Sequence, residues 1–314
     1  MKENKLSRRK TMAIIVKDAY FNSSTGMDRI HCMIWENDEV EKIGVIQLAH
    51  GVSEYIERYD DFARFLADNG YIVCGNDHLG HGLSARSMEE LGFFCEVDGD
   101  VRMVDDMHIL HNIMHKRYTD LPYYLFGHSM GSFCARVYAA DFGEELAGLI
   151  LCGTGELPSA SILAEEPLRK LSEKLDSAFR LDTSAIMKYF LKEGQTGNDW
   201  LSYNKENIAK YEADPYCGVP LTVSGGRDLV SLANSACNPQ WASRVPLGLP
   251  ILLISGAKDP IGFNGRGVIN VCDNLEDAGH KPEVILYPGM KHEILNEDEH
   301  ERVYRDVLEW LKKN

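Results

Sequence analysis

Strand-length apolar runs alternate with helix-length amphipathic stretches along most of this chain, and no other feature restricts its fold as much. Ile43–Ala49, Pro250–Gly256 and Glu283–Tyr287 are short apolar runs bounded by turn residues. Between such runs lie stretches with apolar residues at helical spacing, of which Tyr59–Asp68 is one. Strands that alternate with helices pair in parallel and are covered on both faces. The chain therefore predicts an α/β fold with a mostly parallel central sheet and helices on both faces.

The alternation stops between about Thr154 and Val245, where charged helical segments with large apolar residues replace it. The predicted parts are a first core part at 1–153, a helical cap or lid insertion at 154–245 and a second core part at 246–314. An apolar face on such an insertion either packs on the sheet or lines a tunnel for an apolar substrate. The points of the insertion where we expect flexibility are Gly194, Gly197 and Ser224–Gly226.

The stretch Gly127–Gly131 separates the apolar run Tyr123–Phe126 from a helix-forming stretch. It is a G-x-S-x-G pattern in a strand–turn–helix context, with Ser129 at the apex. The start of the helix supplies N–H groups and partial positive charge for an anionic intermediate. The pattern indicates that Ser129 is a nucleophile.

An acid and a base for this serine follow in the chain order that hydrolases of this kind require. Asp259 comes just after the run Pro250–Gly256, and His292 comes just after Glu283–Tyr287. The carboxyl ends of parallel strands share one sheet edge, where catalytic groups gather. We predict that His292 acts as general base and then acid, and that Asp259 orients its imidazole. Alone, each would be read as a solvated loop or capping residue, so the prediction depends on the spacing of all three.

Two backbone N–H groups are predicted to form an oxyanion hole. One belongs to Met130, the residue after the nucleophile. The other is expected in the loop after the third strand, at His50–Val52. Gly51 lets the backbone approach the site, and Val52 is the predicted donor. The alternative is a simple turn that ends the strand.

Four segments also carry a resemblance to a known family. They are His50–Glu54 with Arg58 and Tyr59, Asp77–Ser84, Gly127–Gly131 and Pro288–Glu293. These segments resemble the monoacylglycerol lipase and lysophospholipase group of the α/β-hydrolases, which is often filed with the serine aminopeptidase-like hydrolases. The similarity covers roughly residues 28–155 and 205–314. It implies an α/β-hydrolase fold and a serine ester hydrolase with a lid over an acyl pocket.

The resemblance suggests roles for residues outside the triad as well. Glu54 and Arg58 match positions near the alcohol-binding end in the lipases, so we expect them to line the headgroup side. The alternative for this pair is an exposed i,i+4 ion pair. The loop Asp77–Ser84 is expected to brace the oxyanion loop rather than to react.

The predicted function is hydrolysis of small-molecule acyl esters, such as monoacylglycerols or lysophospholipids, through an acyl-enzyme on Ser129. A first alternative is peptide or amide cleavage, for which Glu165 and Glu166 would have to bind the substrate amine. A second is a non-catalytic ligand-binding protein on the same fold, although a binder has no need of His292. An apolar lid face is also compatible with transient contact with a lipid surface.

The composition of the chain restricts the kinds of partner that it can bind and the cellular compartment in which we expect it. A net charge of −15 disfavours nucleic acid and gives no general attraction to anionic membranes. The eight cysteines lack C-x-x-C spacing, and several fall in apolar patterns typical of buried thiols. The apolar run after the basic segment Met1–Lys10 is too short for a signal peptide, and no stretch approaches a transmembrane span. We expect a reducing, cytoplasmic location.

Three histidines, His108, His111 and His115, share one stripe of a helix predicted over Val101–Tyr118. Histidines at this spacing can share a metal ion. They border the apolar arc of the helix, however, so we expect them at its solvent edge. Because serine chemistry needs neither a metal nor another cofactor, we predict neither.

Overall fold

The computed structural model describes residues 14–156, 165–175, 179–180 and 197–314. The strands within them are β1 (Ile14–Asn22), β2 (Arg29–Asn37), β3 (Gly44–Ala49), β4 (Tyr71–Asn76), β5 (Tyr123–His128), β6 (Gly148–Cys152), β7 (Ile251–Gly256) and β8 (Glu283–Tyr287). They form one sheet in the order β1-β2-β4-β3-β5-β6-β7-β8. β2 is antiparallel to β1 and β4, and all pairs from β4 to β8 are parallel. The predicted α/β fold with a mostly parallel sheet is confirmed.

Helices cover both faces of this sheet. They are α1 (Asp60–Asp68), α2 (Gly99–Arg117), α3 (Met130–Phe142), α4 (Glu165–Ser172), α5 (Lys205–Ala213), α6 (Val223–Ala236), α7 (Trp241–Arg244), α8 (Arg266–Asp277) and α9 (His300–Lys313). One apolar layer contains Phe62 of α1 and Val307 of α9. The opposite layer contains Met107 of α2 and Val271 of α8. Burial on both faces explains why β3 to β7 read as continuous apolar runs.

The strand order brings four loops to one edge of the sheet. From β3 the chain passes to β4 on one side, whereas β5 lies on the other side of β3. The carboxyl ends of β3 and β5 therefore flank a topological switch point, where open α/β sheets bind ligands. Gly51 and Ser129 follow these two strands, and Asp259 and His292 follow β7 and β8.

The insertion between β6 and β7 contains α4 to α7 and no strand within the ranges that the structure describes. Its boundaries at 154 and 245 stay a prediction. Two of the large apolar residues of the insertion, Leu168 and Leu171, lie on α4. A second apolar group in its sequence, at 186–191, and the predicted flexible point Gly194 lie outside the described residues. None of the helices in the described ranges is long and apolar enough to cross a membrane.

Two features of the fold differ from the sequence-based expectation. Helix α8 was not predicted. The predicted flexible point at Ser224–Gly226 is wrong, because these residues are buried in the first turn of α6. The Thr222 hydroxyl caps this helix by accepting a hydrogen bond from the Gly225 N–H at 3.1 Å. A Cβ atom at Gly225 would overlap the carbonyl oxygen of Gly92. This glycine therefore serves close packing.

We expect Gly225→Ala to destabilise the protein, although alanine favours helices by about 1 kcal/mol over glycine. The added methyl group has to displace the Gly92 backbone, and such overpacking costs about 1–3 kcal/mol. The control is Ser235→Ala on the exposed side of the same helix, which should change stability by less than about 0.5 kcal/mol. Urea unfolding measures both. A Gly225→Ala protein more stable than the parent would contradict the packing argument.

Candidate active site

Ser129 lies at the apex of a tight turn between β5 and α3. Its backbone has φ +53° and ψ −119°, a positive-φ conformation that a non-glycine residue adopts only when its surroundings impose it. A Cβ at Gly131 would overlap the carbonyl oxygen of Ala49, and one at Gly127 would overlap that of Gly131. The two glycines of the motif are thus needed for β3, β5 and α3 to approach each other. The turn leaves the serine half-buried, with its side chain next to the β3 loop.

Asp259 and His292 are brought together at the same edge. His292 Nδ1 lies 2.9 Å from Asp259 Oδ2 in a hydrogen bond, and both side chains are almost fully buried. The other carboxylate oxygen accepts the Ile261 N–H at 2.9 Å, which fixes the orientation of the Asp259 carboxylate. Burial alone would lower the pKa of His292, but the charge and the hydrogen bond of Asp259 raise it above its ordinary value. An imidazole oriented and charge-stabilised in this way suits proton transfer.

The loop after β3 lies directly against Ser129. A Cβ placed on Gly51 would be 3.2 Å from the Cβ of Ser129, so a bulkier residue would crowd the serine side chain. Within the described residues, neither the Val52 N–H nor the Met130 N–H donates a hydrogen bond to protein. An oxyanion hole requires unpaired N–H donors, and the assignment of these two groups to it stays a prediction.

Glu54 holds the β3 loop in place through a buried carboxylate. One oxygen accepts the Gly51 N–H at 2.6 Å and the Tyr59 hydroxyl at 2.8 Å, and it lies 3.2 Å from His128 Nδ1. The other oxygen accepts from Arg58 at 2.7 Å. Burial would raise the pKa of Glu54, but His128 and Arg58 hold it well below its ordinary value. The carboxylate is therefore ionised and anchors the loop next to Ser129.

Arg58 extends this anchor to the loop that carries His292. Its guanidinium makes two hydrogen bonds to the Glu293 carboxylate, at 2.7 and 2.8 Å, in the fork geometry typical of strong arginine pairs. It also donates to Asn207 of α5 at 3.2 Å and lies over the Tyr211 ring, 4.8 Å from its centroid. One arginine thus joins the β3 loop, the β8 loop and the insertion.

The alternative interpretation of Glu54 and Arg58 as an exposed ion pair is wrong, because both side chains are buried. Their predicted role on the headgroup side stays a prediction. The expected bracing by the Asp77–Ser84 loop is confirmed. Asp77 accepts the Ile56 N–H at 2.8 Å, and the His78 N–H donates to His50 Nε2 at 2.9 Å.

Sequence reasoning missed three residues around His292. The Trp200 ring, from the insertion, lies 5.1 Å from the imidazole of His292, and the His128 ring lies 4.8 Å from it. The third residue is Glu293, which provides the second carboxylate that Arg58 binds. His128 and Glu293 stand inside the recognised motifs, so their position was a signal. Trp200 had none, since its segment lacks a motif.

Replacing Arg58 with methionine should destabilise the protein by about 3–5 kcal/mol, because the Glu54 and Glu293 carboxylates would stay buried without their counter-charge. The control is Arg64→Met, which removes a solvent-exposed i,i+4 pair with Asp60 and should cost about 0–1 kcal/mol. Urea unfolding at pH 7 measures both losses.

The pH dependence of the Arg58→Met deficit provides a second readout. Arg58 lowers the pKa of Glu54 and Glu293 in the folded protein, so its contribution is present at neutral pH and lost as the pH falls through those lowered values. The deficit should therefore shrink in acid. Equal losses for the Arg58 and Arg64 variants at pH 7 would contradict a buried anchor.

The chain is similar to known proteins over most of its length. The family model described as serine aminopeptidase, S33, matches residues 40–299. A monoacylglycerol lipase of Mycolicibacterium smegmatis is 29% identical over 92% of this chain and 95% of its own length. A phospholipase of Bacillus subtilis is 26% identical over 86% of this chain and 95% of its own.

Among solved structures, a highly thermostable carboxyl esterase from Bacillus coagulans, in complex with glycerol, has a TM-score of 0.87 at 30% identity. The match covers 96% of this chain and 99% of the esterase. Since the family model spans most of the sequence, this chain belongs to the serine aminopeptidase S33 family of the α/β-hydrolases.

Proposed function

We propose that this carboxylic ester hydrolase cleaves acyl esters of the monoacylglycerol or lysophospholipid kind, with Ser129 as nucleophile, His292 as base and Asp259 as orienter. The observation that carries the proposal is the buried His292–Asp259 hydrogen bond of 2.9 Å. Its partners follow β7 and β8 at the sheet edge where Ser129 follows β5. The monoacylglycerol lipase and phospholipase relatives support the substrate class.

The proposed reaction has two halves. The hydrogen bond from His292 Nδ1 to Asp259 leaves Nε2 to take the proton of the Ser129 hydroxyl as its oxygen attacks the ester carbonyl carbon. The Val52 and Met130 N–H groups stabilise the resulting oxyanion, and such a donor is typically worth ~10²–10³ in rate. His292 then gives the proton to the departing alcohol. Water, deprotonated by His292, releases the fatty acid from Ser129 in the same way.

The insertion at 154–245 is proposed to act as a lid over the acyl chain. The contact of Trp200 with His292 supports this, because it covers the base with an apolar ring from the insertion. Leu171 and Phe179 are 40% and 54% exposed and support transient contact of the insertion with a lipid surface. The free thiols of all eight cysteines support a reducing compartment such as the cytoplasm.

Glu54 and Arg58 are included as residues that shape the alcohol end of the site. The hydrogen bond from the Gly51 N–H to Glu54 supports this, since Gly51 lies against Ser129. Because Glu54 is only 4% exposed, we expect it to act on the substrate through the loop that it holds.

Amide cleavage is the weaker candidate, because the acidic pair it would use already has partners. Glu165 accepts a hydrogen bond from Asn234 at 2.6 Å. Glu166 forms ion pairs with Arg169 and Lys170. Turnover of a medium-chain acyl ester and of an aminoacyl arylamide distinguishes the two. Faster cleavage of the arylamide would overturn the ester assignment.

Ser129→Ala should reduce ester turnover by about 10⁶-fold, the order of loss that follows removal of a catalytic serine. It should also abolish labelling by a fluorophosphonate probe while leaving the thermal midpoint nearly unchanged. The exposed Ser235→Ala variant serves as control and should retain both activity and labelling. Turnover that survives in pure Ser129→Ala protein would contradict the assignment, and an unlabelled parent protein would favour a non-catalytic ligand binder.

The pH profile reports the raised pKa of His292. The base must be neutral to accept a proton, so kcat/KM should fall as the pH drops through a pKa above 6.5, the ordinary value for histidine. Asp259→Asn removes the charge that raises this pKa. It should shift the acid limb to lower pH and decrease kcat by about 10⁴-fold. An acid limb that does not move in this variant would contradict the pairing.

A further inference from the structure

A cluster of possible metal ligands lies away from the Ser129 site, where α2 packs against the end of α3. His108 and His111 are one turn apart on α2, and Glu145 stands in a short turn just after α3. Glu145 Oε2 is 3.1 Å from His108 Nε2 and 3.1 Å from His111 Nδ1. The three ligand atoms all lie within 4.8 Å of one another. One carboxylate oxygen thus faces two imidazole nitrogens.

The burial of His111 is the second observation. The expectation that these histidines lie at the solvent edge is wrong for His111, which is 3% exposed. Its ring lies 4.4 Å from that of Tyr123. Within the described residues, neither of its ring nitrogens has a hydrogen-bond partner, because Glu145 is close but poorly aligned for a hydrogen bond. Buried polar atoms are seldom left unpaired, so the two unpaired nitrogens of His111 point to a missing partner at this site.

We propose that His108 Nε2, His111 Nδ1 and Glu145 Oε2 bind a divalent transition-metal ion, with zinc as the best match. Two imidazoles and one carboxylate are a common zinc ligand set, with water in the fourth position. Calcium and magnesium require oxygen ligands and fit the two nitrogens poorly. His108 and Glu145 are 22% and 43% exposed, so an ion can enter from solvent.

A stacked aromatic ring holds His108 in place at the proposed metal site. His108 is stacked on Phe142, with ring centroids 3.8 Å apart and planes 26° apart. This contact limits the rotation of the imidazole and holds one ligand towards Glu145. A metal ion here would join α2 to the C-terminal end of α3. Because α3 has 13 residues, that end is about 20 Å along the helix from Met130. The role that follows is structural.

Metal titration of the metal-free enzyme tests the site. After dialysis against a chelator, calorimetry with zinc should give one site per chain, and zinc should raise the unfolding temperature. Cobalt should give the visible absorption of a four-coordinate ion, without the near-ultraviolet band of thiolate ligands. Ester turnover should be the same with and without zinc.

Three variants assign the ligands. His111→Ala and Glu145→Gln should each weaken zinc binding by at least about tenfold, the lower end of what even an outer-shell change costs. His111→Ala removes a buried ring and could disturb the helix. Because Glu145 is exposed, Glu145→Gln is expected to fold and keeps the test valid in that case. The control is His115→Ala, which removes an exposed histidine stacked on His111 and should bind zinc like the parent.

Three results would overturn the proposal. The first is that the parent protein binds neither zinc nor cobalt. The second is that Glu145→Gln binds zinc as tightly as the parent. The third is that His115→Ala loses as much zinc affinity as His111→Ala. The first result would leave Glu145 as the hydrogen-bond partner of His108 alone. None of these results affects the esterase proposal, because Ser129 turnover is measured separately.

Discussion

The arrangement of the site depends on a single guanidinium between two buried carboxylates. Arg58 makes contact with Glu54 on the β3 loop and with Glu293 on the β8 loop, although 235 residues separate it from the latter. The loops on either side of Ser129 therefore share one counter-charge. Burying three ionised groups is unfavourable unless their charges and hydrogen bonds are satisfied, which ties the geometry of both loops to the same interaction.

The insertion is also attached to the core domain through a third carboxylate. Glu297 accepts hydrogen bonds from the Ser202 hydroxyl at 2.8 Å, the Tyr203 N–H at 2.9 Å and the Lys291 N–H at 2.9 Å. The Lys291 ammonium donates to the carbonyl oxygen of Asp199. The segment that carries Trp200 is thus attached to the residues on both sides of His292. The Trp200 ring is part of the same hydrogen-bonded unit as the His292 imidazole that it contacts.

Sequence reasoning predicted the features that depend on local pattern. The sheet followed from apolar runs of strand length, and the Ser129 turn followed from glycines whose necessity is visible in the contacts of Gly131 with Ala49. Features that depend on distant contacts could not be predicted. Asn207 approaches Arg58 across 149 residues, and nothing near it in the chain indicates that partner. His111 is buried by Tyr123, which a helical stripe considered by itself does not reveal.

The anchoring of the 199–204 segment limits how this enzyme can be re-engineered. An insertion between two strands looks like an interchangeable module, to be replaced whenever a different substrate is wanted. In this protein the segment 202–204 of the insertion forms hydrogen bonds with Glu297 and Lys291 of the core domain. Without this segment, those hydrogen bonds would be lost inside the core domain. A graft that omits Ser202 or Trp200 would alter the surroundings of the His292 imidazole, so the insertion and this side chain cannot be re-engineered independently.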